Sequence, residues 1–150
     1  MKPTSISSEN VRQTTLLAKI LAAEITKTKP SQNAMVIGLS GDLGAGKTTF
    51  VKALVRGLGV RKKVISPTFI IMRSFPIKGS YTKIYHVDAY RLDGTALTRL
   101  GLNGIMKDPR NIVVIEWADR VRRLLPRDAI MINIEHSSEG NERHFTFNRR

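Results

Sequence analysis

The chain of 150 residues contains no cysteine. That excludes a disulfide scaffold, a thiol nucleophile and a zinc site with cysteine ligands. Nor does it have an apolar run near the roughly 20 residues that cross a bilayer as a helix. Its longest uncharged apolar stretches, Met35–Leu39 and Ile112–Ile115, have the length of strands. The start, Met1-Lys2-Pro3-Thr4-Ser5, lacks both the apolar segment of a secretory signal and the arginines of a transit peptide. No membrane association and a cytoplasmic location are the expectations. Acids are scarce, with 12 Asp+Glu against 25 Lys+Arg and a formal net charge of +13. The cations are spread along the chain, with small clusters at Arg61-Lys62-Lys63, Arg120–Arg127 and Arg149-Arg150. Two readings of that excess stay open: a site for a polyanion, or a solvated basic surface.

Hydrophobic residues make up 41% of the chain, enough for a core, and the length argues for one domain over residues 1–150. No internal repeat or low-complexity linker divides it. Ser8 or Asn10 is placed to cap a first helix, along which Val11, Ala18, Leu21, Ala22 and Ile25 recur at helical spacing before Pro30. Ala34–Leu39 reads as a buried strand, Gly41–Gly46 as a glycine-bearing turn and Lys47–Leu58 as a helix ended by Gly57 and Gly59. Val64–Ile65, Phe69–Ser74 and Lys83–Ala89 read as strands, with Pro67 and Pro76 breaking the first two regions. Thr95–Leu102 reads as a short helix closed by Gly101 or Gly104, Asn111–Trp117 as a second apolar strand, and Ala118–Leu125 as a basic helix stopped by Pro126. The alternations Ile130, Ile132, Ile134 and Phe145, Phe147 read as a hairpin joined by Ser137–Asn141. Strands followed by helices, with extra strands besides, predict an α/β fold with a mixed parallel and antiparallel sheet.

The sharpest feature is Gly41-Asp42-Leu43-Gly44-Ala45-Gly46-Lys47-Thr48, a full match to the phosphate-loop pattern G-x-x-x-x-G-K-[ST] between a predicted strand and a predicted helix. Glycines let successive backbone N–H groups turn toward phosphate oxygens, and the helix N-terminus adds partial positive charge. Lys47 is placed for the β- and γ-phosphates, the Thr48 hydroxyl for Mg²⁺ and Thr49 for the α-phosphate. Such a site needs an acid elsewhere, and Ile112-Val113-Val114-Ile115-Glu116 ends an apolar strand on one. Glu116 is the expected metal-site carboxylate. Trp117, the sole tryptophan, is either packing at the sheet edge or a contact near the site or with a partner. In Tyr85-His86-Val87-Asp88-Ala89-Tyr90-Arg91, period two would set His86, Asp88 and Tyr90 on one strand face. Asp88 would orient water or complete the metal shell, and His86 reads as structural more readily than as functional. Thr68 of Ser66-Pro67-Thr68-Phe69 is a candidate γ-phosphate sensor.

The ordered set GDLGAGKTTF, SPTF, YHVDAYRL and VIEW resembles the TsaE (YjeE) family, small P-loop ATPases of tRNA threonylcarbamoyladenosine biosynthesis, over nearly the whole chain. The resemblance implies a P-loop NTPase-like three-layer domain that binds ATP and Mg²⁺, hydrolyses ATP slowly, and acts with TsaD and TsaB to allow repeated turnover. Carried over by motif, Gly41, Asp42, Leu43, Gly44, Ala45, Gly46, Lys47, Thr48 and Thr49 hold the phosphates, Thr48 and Glu116 serve Mg²⁺, and Lys47, Asp88 and Glu116 carry the hydrolysis. Thr68 belongs to a switch-like loop, and Thr14 and Arg143 approach the base. The family's acidic stretch after HxDxYR is replaced by Leu92–Leu102, where Arg99 appears and acids are few. Contact with tRNA is implied only indirectly or through the basic surface. Two other functions are weighed. A small-molecule kinase usually needs a lid and an acceptor-binding insertion, for which this chain has little room. A nucleic-acid-binding module with an incidental P-loop finds no RRM, KH or zinc-finger signature in support.

Overall fold

The computed structural model describes residues 2–64, 71–138 and 140–150. Seven strands form one sheet: β1 (Thr4–Ser8), β2 (Met35–Ser40), β3 (Met72–Pro76), β4 (Lys83–Asp88), β5 (Asn111–Glu116), β6 (Ile130–His136) and β7 (Arg143–Arg149). They lie in the order β1-β7-β6-β2-β5-β4-β3. The central strands β6, β2, β5 and β4 run parallel, and β7, β1 and β3 add antiparallel to the flanks. The sheet is therefore mixed, as the alternating strands and helices of the sequence predict.

The apolar content of each strand follows its place. All six residues of β5 are buried, because helices cover both faces of a central parallel strand. On one face, α1 (Val11–Lys27) and α2 (Lys47–Gly57) pack Ala18, Ala22, Ile25, Phe50 and Leu54 against Ile37, Ile84, Val114 and Ile132. On the other, α3 (Gly94–Arg99), α4 (Leu102–Lys107) and a 3-10 helix (Ala118–Leu124) set Leu97, Leu102, Met106 and Val121 against Val36, Val87, Val113 and Met131. The three layers follow from these two apolar clusters. Asn10 caps α1 by accepting from the Gln13 N–H, as one of the two expected caps. No helix among the described residues is long and apolar enough to cross a membrane.

Two glycines set close approaches. A Cβ on Gly57 would stand 2.7 Å from Ala22 Cβ, so its absence lets α2 lie against α1. A Cβ on Gly38, in the middle of β2, would stand 2.7 Å from Ala118 Cβ and 2.9 Å from Met131 Sδ. The missing side chain allows the 3-10 helix to settle on β2 and brings the chain after Glu116 close to the phosphate loop.

Several boundaries differ from the sequence reading. β1 was not expected: its single large apolar residue, Ile6, is itself exposed, and the strand forms by pairing with β7 at the sheet edge. Val64 lies outside any strand, and Ile65 and Thr68 fall outside the described residues. Of the strand expected at Phe69–Ser74, Phe69 and Ile70 fall outside the described residues, and residues 72–74 belong to β3, which runs on to Pro76. The helix expected over Thr95–Leu102 is two helices, because Gly101 adopts φ 80°, a left-handed conformation that ends one and opens the next. The basic helix after Trp117 is of 3-10 type and kinks at Val121. Tyr90 does not share a strand face with His86 and Asp88, since β4 ends at Asp88 and Tyr90 lies in the following turn.

Candidate nucleotide site

β2 feeds Ser40 into the phosphate loop, and the loop feeds Lys47 into α2. The loop conformation requires its glycines. Gly41, Gly44 and Gly46 have φ of 140°, 78° and 103°, and a Cβ on Gly41 would stand 2.3 Å from the Ile134 carbonyl oxygen. The Ala45 N–H donates to the Asp42 carbonyl at 3.0 Å and closes the turn. Ala45 is buried beneath it, and Leu43 stands out from the tip, 83% exposed. Two side chains of the β6–β7 hairpin clasp the loop from outside. His136 Nε2 donates to the Gly44 carbonyl at 2.7 Å, and Arg143 Nε donates to the Ala45 carbonyl at 2.8 Å. These two contacts occupy the carbonyls of Gly44 and Ala45 and tie the loop to the hairpin.

A cavity of about 440 Å³ opens in front of the loop. Leu43, Gly44, Gly46, Lys47, Thr48 and Thr49, with Arg143 of β7 held against the loop, form one wall, and Asp88, Tyr90, Arg91, Glu116 and Trp117 form the other. The second wall comes from the ends of β4 and β5, whose parallel register sets Asp88 beside Glu116. Ligands of open α/β sheets bind at such carboxyl ends of strands.

The two walls meet in one chain of hydrogen bonds. Thr48 Oγ1 donates to Glu116 Oε1 at 2.8 Å, and His86 Nε2 donates to Glu116 Oε2 at 2.6 Å. His86 is fully buried, so it is a partner of the site acid and not an outer-face residue. Asp88 Oδ1 accepts from the Tyr90 N–H at 2.9 Å. Lys47 donates to the carbonyls of Gly41 and Asp42 at 2.5 and 2.8 Å, and its Nζ lies 3.8 Å from the centre of the Trp117 ring. Burial pulls its ammonium below the usual lysine range, while the carboxylates of Glu116, Asp119, Asp42 and Asp88 act in the opposite direction.

Trp117 owes its position to an unusual backbone. It is the one non-glycine residue with positive φ among the described residues, at 59°. A left-handed residue straight after β5 turns the indole over Lys47. Tyr90 packs on Trp117 with ring centres 4.7 Å apart. Arg120 lies 4.7 Å from the Tyr90 ring centre and donates to the Tyr90 carbonyl at 2.8 Å.

Thr48 and Glu116 offer hard oxygen donors of the type Mg²⁺ takes, with waters and phosphate oxygens completing its shell. Among the described residues no group of three or more His, Asp or Glu side chains is placed to hold a metal unaided. Thr14 is buried, its hydroxyl 2.8 Å from that of Ser8, and it is not among the cavity's lining residues. The His136 clasp is not legible in the sequence, because nothing in the hairpin pattern marks a histidine at its end as a loop contact.

A phosphate loop and a strand-end acid on a mixed sheet are common to many nucleotide-binding proteins, so the comparison with known proteins decides the family. Residues 8–145 match the family described as threonylcarbamoyl adenosine biosynthesis protein TsaE. The chain belongs to the TsaE family. Its members act in tRNA threonylcarbamoyladenosine biosynthesis. The chain is 35% identical over 147 residues to the Bacillus subtilis "tRNA threonylcarbamoyladenosine biosynthesis protein TsaE", covering 98% of this chain and 86% of that one. It is 40% identical over 104 residues to the TsaE of Streptomyces coelicolor, covering 68% and 69% of the two chains. The crystal structure of Bacillus subtilis YdiB superposes with a TM-score of 0.77 at 30% identity, covering 99% of this chain and 86% of that one. The four TsaE-like motifs thus lie in a chain that is similar to TsaE proteins along its length.

Proposed function

We propose that this TsaE-family chain binds ATP with Mg²⁺ in the cavity between the phosphate loop and Glu116, and hydrolyses it slowly as a component of the tRNA threonylcarbamoyladenosine machinery. The observation that carries this reading is the contact of Thr48 with Glu116, which joins the two walls at the point where a phosphate-bound ion belongs. In this reading the loop N–H groups and the α2 N-terminus bind the phosphates, with Gly41 to Thr49 forming the cradle. Lys47 leaves the carbonyls of Gly41 and Asp42 for the β- and γ-phosphates. Mg²⁺, held by Thr48 and Glu116, would neutralise charge that develops on the phosphates. Asp88, with one oxygen already accepting from the Tyr90 N–H, orients water with the other. Arg143, already on the loop, and Thr14 are the candidates for contact near the base. Thr68 keeps the switch role that its motif implies.

The partners in this reading are TsaD and TsaB homologues, and ATP hydrolysis allows their repeated turnover in the cytoplasm. The test is ATP hydrolysis by the chain alone and with TsaB, TsaD and tRNA. Slow hydrolysis alone and faster hydrolysis in the mixture supports the reading. A rate raised by a small-molecule acceptor in their absence supports a kinase instead. Tight, ATP-independent tRNA binding with a steep salt dependence supports a nucleic-acid module.

A further inference from the structure

We infer that His86 is a positioning residue for the metal: it fixes the Glu116 carboxylate so that one oxygen stays turned to Thr48 and the ion. The inference rests on the Mg·ATP reading and assigns a task to a residue that the reading does not use.

A glutamate side chain at a strand end has several rotamers and two equivalent oxygens. Glu116 is 3% exposed, so each oxygen needs a partner inside the protein. The strand register supplies one. On β4 and β5, His86 pairs with Val114 and Asp88 with Glu116, so the Glu116 side chain leans back along its own face onto His86. The 2.6 Å contact of His86 Nε2 with Oε2 is among the shortest side-chain hydrogen bonds of the molecule, and an ionised carboxylate can only accept, so Nε2 carries the hydrogen. The other ring nitrogen, Nδ1, is buried without a hydrogen-bond partner among the described residues. A lone pair tolerates that environment better than an N–H does, which fixes the same tautomer from the other side of the ring. Among the described residues, Glu116 is the hydrogen-bond partner of the imidazole. Arg73, opposite His86 in the β3–β4 register, leaves its own buried Nε without a partner. The ring is 0% exposed, packed on a face that also carries Ile84 and Val114. It therefore has one polar task, to hold Oε2. With Oε2 held, Oε1 is the oxygen left for Thr48 and the ion.

Partners of metal-ligating carboxylates typically contribute about 10–100-fold in metal affinity. The test uses His86→Leu, which keeps an apolar volume and loses the donor, and His86→Gln, whose amide N–H reaches the place of Nε2. Mn²⁺ binding in the presence of a non-hydrolysable ATP analogue is followed by electron paramagnetic resonance, nucleotide binding in EDTA by calorimetry, and folding by thermal melting. His86→Leu should weaken Mn²⁺ binding about 10–100-fold with metal-free nucleotide affinity unchanged, and His86→Gln should regain most of the loss. Mn²⁺ binding by His86→Leu equal to that of the unaltered chain overturns the inference. So does a parallel loss of metal-free nucleotide binding, the mark of a general structural role. If His86→Leu fails to fold, His86→Gln is compared with His86→Asn, whose amide sits at the Nδ1 level; equal Mn²⁺ affinity then overturns the inference. An unaltered chain that shows no nucleotide-dependent Mn²⁺ site overturns the Mg·ATP reading itself, and the inference with it.

Discussion

The two walls of the cavity are built by different physics. The phosphate-loop wall is contiguous in sequence, and its shape comes from backbone angles: three glycines with positive φ, a turn closed by Ala45 on Asp42, and a helix that starts at Lys47. The acid wall is assembled from β4, β5 and the turn after each. Its geometry comes from strand register, from the contact of His86 with Glu116, and from a left-handed Trp117. The loop wall is a local motif braced from outside by His136 and Arg143, whereas the acid wall exists only once the sheet has formed. In the Mg·ATP reading the first wall meets the nucleotide directly and the second meets it through the ion. Substitutions on the two walls should therefore separate in their dependence on metal.

The largest effect is expected at Lys47. Lys47→Ala should lower the hydrolysis rate about 10²–10³-fold, the scale for removing one donor that stabilises transition-state charge, and should also weaken nucleotide binding in EDTA. Calorimetric titration with and without Mg²⁺ checks this, and undiminished binding in EDTA would break the distinction between the walls. Glu116→Gln should lower the rate by about 10²-fold while leaving binding in EDTA unchanged; a parallel loss in EDTA would mean that the acid wall also shapes the loop. Gly38→Val probes what brings the walls together. Its Cβ would collide with Ala118 and Met131, so a stability loss of about 1–3 kcal/mol is expected in urea unfolding. An unchanged midpoint would mean that the 3-10 helix is free to shift on β2. The smallest effect is expected at Arg120, whose contacts with Tyr90 are at the surface. Arg120→Ala should cost about 1 kcal/mol or less in the same unfolding experiment, and a larger loss would show that the Trp117–Tyr90 contact depends on it.

The same contrast explains what could be read from the sequence. The phosphate loop, α2 and the strand-end Glu116 were legible because their signals are local: a spaced motif, a helical period and an apolar run ending in an acid. The central strands β2 and β5 were legible because burial on both faces makes them continuously apolar. β1 was not, since an edge strand with Ile6 as its one large apolar residue has no pattern to detect. The expected trio of His86, Asp88 and Tyr90 was right in its first two members, but strand periodicity does not reveal that β4 stops at Asp88. The role of His86 was missed because its partner lies 30 residues away, on a strand whose register no single sequence specifies. The clasp of His136 and Arg143 on Gly44 and Ala45 likewise depends on where the β6–β7 hairpin meets the loop. The excess of positive charge, prominent in the composition, is mostly separate from the site: of the 25 Lys and Arg residues, the cavity is lined by Lys47, Arg91 and Arg143.

The most direct test of the two-wall account is a titration of the chain with ATP, followed by calorimetry in EDTA and then in Mg²⁺, repeated with Glu116→Gln. The account predicts that Mg²⁺ tightens binding to the unaltered chain and has little effect on Glu116→Gln, while both bind alike in EDTA. Equal tightening by Mg²⁺ in the two proteins would contradict it.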